Sequence, residues 1–264
     1  MTIAAIASIP MRWRPLVLLV PLFSLGGLGC VGHWSGLTVC PGGDQTAALN
    51  DQIAAAPDHS TVTLTTHGCY EIDGTVMIAG KTDVTLDGNG ALLQRFGSPA
   101  RWAPILQLSR DHTIRVHDLR IDGSKPDTIG YVPDREGQHG VVLDGADHVT
   151  LDHLTITHVF ADGFYITNYT NNVVIRDSTT IQMSRHGMAI VNGQMITYTG
   201  NDNESAHRWD IDLEPTTGPV DRITITKNKI LHPNIGFICA AGLGDYRCDG
   251  RGTNLTIADN VLGW

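Results

Sequence analysis

The chain of 264 residues lacks an apolar run long enough to cross a bilayer and lacks any Cys-x-x-Cys pair. Its apolar stretch at residues 15–25 is shorter than the roughly 20 residues that a membrane helix needs, so no transmembrane span is expected. The missing cysteine spacing excludes the common structural zinc modules. Basic residues are also scarce, with 18 Lys and Arg against 27 Asp and Glu, a net charge of −9. An acidic surface argues against nucleic acid and anionic membranes as partners.

What is present begins with a segment unlike part of a fold. Arg12 and Arg14 precede the apolar run, which relaxes into Gly26, Gly27, Leu28 and Gly29 before Cys30. A basic stretch, a short apolar stretch and small residues at the exit form a secretory signal, expected over 1–29. Pro10, Pro15 and Pro21 oppose the alternative of one long buried helix. The small residues before Cys30 are similar to a bacterial lipobox, although Gly27 stands where that box carries Leu. The expected location is therefore outside the cell or in the cell envelope, the latter through a lipid on Cys30.

Residues 30–264 then form one domain with a substantial core. This part keeps 16 basic and 27 acidic residues, a net charge of −11. Such a surface would repel an acidic polysaccharide unless an Arg or a bound cation intervened. The four further cysteines, Cys40, Cys69, Cys239 and Cys248, suit an oxidising compartment. Four cysteines allow three pairings, and nearness in sequence favours Cys40–Cys69 with Cys239–Cys248.

Self-similarity determines the architecture. Five segments share a Gly or polar residue followed by apolar, any, apolar, and they start at Gly140, Gly163, Gly187, Asp210 and Gly236. Successive starts are 23, 24, 23 and 26 residues apart. Between them lies a second pattern, Ile114 with Val116, Val149 with Leu151, Val173 with Ile175, Ile223 with Ile225, and Leu255 with Ile257. A third, shorter element follows, as in Leu119 with Ile121, Leu154 with Ile156, and Ile230. Period-two alternation marks strands with one buried face. Three strands per coil with Asn, Asp and Gly at the corners predict an all-β, right-handed parallel β-helix, a solenoid of stacked coils. Leucine-rich repeats would need a Leu/Asn consensus and a helical segment, and a sandwich has no reason to repeat near 23 residues. Residues 44–57 should form a short helix capping the N-terminal end, started by Asp44 or Thr46 and stopped by Pro57. No comparable cap is evident near Trp264, so that end is expected to be covered by terminal residues, by further chain, or by self-association.

Gly43-Asp44-Gln45-Thr46-Ala47-Ala48-Leu49, a strand, and the Asp-Gly turns at 73–74, 87–88 and 122–123 resemble the opening of the pectate lyase-like β-helix superfamily. That resemblance covers about residues 40–264. It implies the fold and a carbohydrate-directed role, but one fold hosts lyases, hydrolases, epimerases and phage tailspikes.

Stacking the five segments in register predicts which side chains share a face. Val141, Phe164, Met188, Ile211 and Phe237 should point inward, with Leu143, Ile166, Ile190, Leu213 and Cys239. Outward columns then hold His139, Asp162, His186 and Trp209; Tyr165, Ala189 and Asp212; and Thr167, Val191 and Glu214. Coils stack about 4.8 Å apart, so Asp162 and His186 should touch, with Asp212 and Glu214 roughly 7–14 Å away on one exposed face. Asp162, Arg185, His186, Asp212 and Glu214 are the catalytic candidates, and Tyr165, Trp209 and His139 the substrate-binding ones. Like charges two apart on one strand face cost stability unless a cation or an Arg compensates. Arg185 is the expected compensator, and Asp212 with Glu214 could instead hold Ca²⁺.

Two chemistries fit these groups. Hydrolysis of a glycosidic bond needs one carboxyl to protonate the leaving oxygen and another to activate water or attack carbon. Ala161-Asp162-Gly163 and His186-Gly187 are similar to parts of the polygalacturonase pattern, but its Asp-Asp coil and Arg-x-Lys are absent. Elimination or epimerisation at a uronic acid needs carboxylate neutralisation and a base. Asp162-Gly163-Phe164 followed by Arg185-His186-Gly187-Met188 looks similar to coils of mannuronan epimerases, without their Asp-Pro-His-Glu string. The expectation leans to a lyase or epimerase on an acidic polysaccharide. A glycoside hydrolase and a non-catalytic glycan-binding β-helix are the alternatives.

Overall fold

The computed structural model describes residues 40, 42–97, 99–231, 236–240 and 253–263, with backbone course alone for 236–240. Every third strand returns to the same sheet, giving two eight-stranded sheets and one seven-stranded sheet, all parallel. The first sheet runs from Ser60–Thr63 to Thr253–Ala258, the second from Cys69–Ile72 to Val261–Gly263, and the third from Val76–Ala79 to Gly236–Ala240. This is the right-handed parallel β-helix that the repeat predicts.

Stacking in register turns each apolar position into a column. Ile114, Val149, Val173, Ile196, Ile223 and Leu255 align on the first sheet, beside Val116, Leu151, Ile175, Tyr198, Ile225 and Ile257. The coil carrying Ile196 and Tyr198 is absent from the sequence pattern because its second apolar position is a tyrosine. Tyr198 is fully buried and donates its hydroxyl to Asn203 Oδ1 at 2.5 Å. On the second sheet Thr180 and Asn203 stand in line with Ile121, Ile156 and Ile230, which hides that column too.

The corners explain the Asn and Asp content. Asp118, His153, Asp177, Gly200, Lys227 and Asp259 occupy one corner, all with φ between 51° and 69°. Asn and Asp tolerate this left-handed conformation better than most residues. The next residue is the buried Leu119 or Leu154 in the first two of these coils, and from Ser178 onward it joins a ladder. Ser178 N–H donates to Asn201 Oδ1 (2.9 Å), Asn201 N–H to Asn228 Oδ1 (2.9 Å), and Asn228 N–H to Asn260 Oδ1 (3.0 Å). Each amide also donates to a carbonyl of the coil before, as Asn228 Nδ2 does to Tyr198 O at 3.0 Å. Buried polar backbone that the turn would otherwise strand is satisfied in this way.

At the N-terminal end the helix Thr46–Ala55 lies against Val76–Ala79 with Leu49 and Ile53 buried, whereas Ala48 and Gln52 face out. Asp44 Oδ1 accepts the Thr46 N–H at 3.0 Å, and Lys81 Nζ donates to the carbonyls of Ala54 and Ala56. Charge at each helix end thus opposes the helix dipole. Asn50 bonds Thr75 O and Met77 N, covering the open strand edge that would otherwise invite pairing. Cys40 and Cys69 form a disulfide, as nearness in sequence suggested. The pairing of Cys239 with Cys248, the lipid site Cys30 and the signal segment lie outside the described residues.

One register expectation fails. Ile211 pairs with Ile238 and Leu213 with Ala240, so the last segment sits one residue along from the alignment that placed Phe237 and Cys239 inward. The 26-residue gap before Gly236 had disguised the offset.

Asn228→Ala should lower unfolding free energy by about 2–4 kcal/mol, because it orphans buried groups on both neighbouring coils. Denaturant unfolding checks this, and a loss under about 0.5 kcal/mol, the scale of an ordinary surface substitution, would remove the ladder from the account.

Candidate active site

Register on the third sheet places His139, Asp162, His186 and Trp209 in one column, just before the inward Val141, Phe164, Met188 and Ile211. Asp162 is the centre. Its Oδ1 lies 3.0 Å from His186 Nδ1 and accepts the His186 backbone N–H at 3.1 Å. Its Oδ2 lies 3.2 Å from His139 Nδ1, and Arg185 Nε stands 3.6 Å from Oδ1. On the next coil Asp212 Oδ2 comes within 3.4 Å of His186 Nε2.

These contacts correct two expectations. Asp212 is much nearer His186 than the strand spacing suggested, because it pairs with the small Ala189 and its carboxyl can lean across. The face is also recessed rather than exposed: His139, Asp162, His186 and Asp212 are 1%, 0%, 0% and 4% exposed. Val142, Ala189 and Val191 on the same side are buried as well. Trp102 packs edge-on against His139 at 5.2 Å and bridges to Gly137. Gly137 is required there, since a Cβ would lie 2.6 Å from Trp102 Cε3 and 2.8 Å from Arg101 O.

Arg185 compensates Asp162 first, with Asp212 and Glu214 as more distant attractions. Burial alone would raise Asp162, but Arg185, His186 and His139 together hold it well below the usual carboxylate range. Burial lowers His139, against the pull of Asp162. For Asp212 burial dominates, with Glu214 and Asp162 adding to it against His186 and Arg185, and its carboxyl is pushed up to about 6. Burial, followed by Asp162, raises the Tyr165 phenol to about 12. The site therefore holds one anion at its base and, beside it, a carboxyl that stays protonated into mildly acidic solution. Hydrogen-bonding capacity is left open: His139 Nε2, both His186 ring nitrogens, Asp212 Oδ1 and Arg185 Nε are buried without an aligned partner among the described residues. Catalytic hydrogen bonds are often misaligned before substrate binds.

Aromatic rings frame the opening. Tyr165 stacks on His139 at 4.3 Å between centroids, Trp102 meets Tyr165 edge-on at 5.8 Å, and Trp209 lies parallel to His186 at 6.1 Å. Arg208 sits over Tyr131, whose hydroxyl donates to Glu136 at 2.6 Å. Trp102, Tyr131 and Glu136 escape sequence reasoning because they come from loops outside the repeat, whereas Arg208 stands in register with Arg185 one coil earlier. Asp210 is legible as the segment start that replaces Gly187 one coil on, but its burial is not. It is fully buried, neither oxygen has a partner among the described residues, and burial pushes its carboxyl up to about 7.

No family model matches the chain, and no curated protein sequence does. Solved structures do match in fold. An alginate lyase from Paenibacillus sp. str. FPU-7 aligns with TM-score 0.61 and 14% identity over 82% of this chain and 74% of that one. A Family 28 exopolygalacturonase from Yersinia enterocolitica aligns with TM-score 0.65 and 14% identity over 84% of this chain, which spans about half (51%) of its length. The catalytic unit of a GH87 alpha-1,3-glucanase from Streptomyces thermodiastaticus strain HF3-3 aligns with TM-score 0.53 and 18% identity, over 85% and 44%. At these identities the likeness establishes the fold, a right-handed parallel β-helix, and leaves the chemistry to the site.

The raised carboxyls give stability a pH dependence of definite sign. A carboxyl whose folded pKa exceeds its unfolded one stabilises the fold most below the unfolded value of 3.8 and loses that contribution as pH rises through the folded value. Asp212 and Asp210 should therefore weaken the fold as pH climbs from about 4 through 6 and 7. The lowered Asp162 acts oppositely, losing its contribution as pH falls below 3.8. Thermal unfolding midpoints should fall between pH 5 and pH 8 on the order of several degrees, and Asp210→Asn should remove much of that fall. A flat profile in the parent protein would contradict the burial account.

Proposed function

We propose that this protein is a polysaccharide-processing enzyme whose chemistry centres on Asp212 and Glu214, with hydrolysis of a glycosidic bond as the reaction. The observation that carries the reading is the environment of Asp212. It is buried against His186 with its carboxyl raised to about 6, and a second carboxyl, Glu214, lies two residues on, just past the strand Trp209–Leu213. Two neighbouring carboxyls, one of them kept protonated by burial, can divide the acid and base roles between them. Asp212 would give its proton to the departing glycosidic oxygen as the C–O bond breaks. Glu214 would act on the other side of that bond, by activating the water whose oxygen joins the anomeric carbon or by attacking that carbon itself. Asp162 and His186 would serve as positioning residues, holding Asp212 and returning its proton. Trp102, Trp209 and Tyr165 offer faces for sugar rings, and Arg185 and Arg208 suit acidic substituents.

The geometry shifts the balance away from elimination. A lyase or epimerase needs a base free to take a ring proton, but both nitrogens of His186 face carboxylates and the residue is fully buried. Arg185 favours that second reading, because a guanidinium beside the groove could neutralise a uronate. Ca²⁺ on Asp212 and Glu214 would belong to it. The ion takes six to eight oxygens, so two carboxylates would need substrate or water to complete the shell. Export fits both readings, since the Cys40–Cys69 disulfide suits an oxidising compartment. No helix of the described residues is long and apolar enough to cross a membrane.

The test is mass spectrometry of products from a panel of neutral and uronate-containing polysaccharides in heavy water, with and without Ca²⁺. Fragments that have gained water support the proposal, and their formation should slow as pH rises through about 6. Asp212→Asn should cut turnover by about 10²–10⁴-fold while binding persists. Fragments lighter by one water, or deuterium uptake without cleavage, would establish elimination or epimerisation instead. No change on any polymer would leave a glycan-binding module.

A further inference from the structure

A second cluster lies on a different face of the solenoid, on the first sheet, and is independent of the activity proposed for Asp212. His112 and Asp147 are direct cross-strand partners on adjacent coils. In a regular strand His148 would point away from Asp147. Here His148 has φ 56°, and this left-handed residue brings both side chains to one side of the sheet. His148 Nδ1 thus reaches Asp147 Oδ2 at 2.8 Å, and His112 Nδ1 approaches the same oxygen at 3.2 Å. All three donor atoms lie within 4.8 Å of one another. The imidazoles meet edge to face at 5.0 Å. Asn172 Nδ2, from the following coil, donates to Asp147 Oδ1 at 2.9 Å and turns the other oxygen toward the two histidines.

We infer that His112, Asp147 and His148 form a binding site for a divalent transition metal, with zinc the probe of choice. Two imidazole nitrogens and one carboxylate oxygen are the donor set of borderline cations rather than of Ca²⁺ or Mg²⁺. A tetrahedral ion about 2.0–2.2 Å from each donor separates its ligands by roughly 3.3–3.5 Å. The two approaches to Asp147 Oδ2, at 3.2 and 2.8 Å, are close to that, and the two imidazole nitrogens lie within 4.8 Å of each other, so rotamer shifts would complete the geometry. Side-chain exposures of 54%, 37% and 56% leave the cluster open to solvent, which would supply the fourth ligand. The metal would bind coil to coil, and Asn172 would act as the outer hydrogen-bond partner that orients the carboxylate.

Calorimetric titration of the chelator-treated protein with Zn²⁺ tests this. One equivalent should bind, and His112→Ala, His148→Ala and Asp147→Asn should each weaken binding by about 10-fold or more, with Asn172→Ala weakening it less. Circular dichroism of each variant should match the parent, since these side chains are exposed. Absence of binding would overturn the inference. So would binding that survives all three substitutions, or binding lost only on His117→Ala, which would place the ion at the other donor cluster of Asp87, His117 and Asp118.

Discussion

In-register parallel stacking is the constraint on which the rest depends. Once coils pair strand on strand about 4.8 Å apart, any residue type recurring at one position becomes a column. Aliphatic columns make the core, and Ser178, Asn201, Asn228 and Asn260 make the hydrogen-bonded corner. His139, Asp162 and His186 are the same phenomenon in polar form. Three side chains that are 23 and 24 residues apart in sequence come into contact because the fold has no other place for them.

Burial gives that column its electrostatic character. In water an aspartate between two histidines would be unremarkable, but here solvent is excluded and the charges must be settled locally. Arg185 and the two imidazoles stabilise the Asp162 anion, while burial first, and then Glu214 and Asp162, keep the neighbouring Asp212 protonated. The separation of two carboxyls into an anion and an acid follows from which coil carries the Arg and which carries Ala189 beneath the leaning Asp212. Asp210 shows the same effect without a partner, a carboxyl raised by burial alone in a corner where the preceding coil has glycine.

Much of the fold was legible because period-two apolar alternation and a repeat near 23 residues require few assumptions. The coil with Ile196 and Tyr198, and the polar Thr180 and Asn203 within an apolar column, were hidden because their burial depends on internal hydrogen bonds. At the candidate site, Asp162, His186, Asp212 and Glu214 were legible from register, with Arg185 bordering them. Their distances and recession were not, since these depend on the small Ala189 and on loops outside the repeat. Trp102 carried no periodic signal, whereas Arg208 repeats the position of Arg185 one coil on. The histidines 112 and 148 likewise showed no ligand spacing, because their proximity arises between coils and through a left-handed residue.

The most direct measurement is a carbon-13 NMR titration of the aspartate side-chain carboxyls in the parent protein and in Asp212→Asn. The account predicts one carboxyl titrating near 6 that vanishes in the variant, and another, Asp162, that stays ionised well below the usual range. If every aspartate of the parent instead titrated in the ordinary carboxylate range, the buried anion and its acidic neighbour would not exist as described.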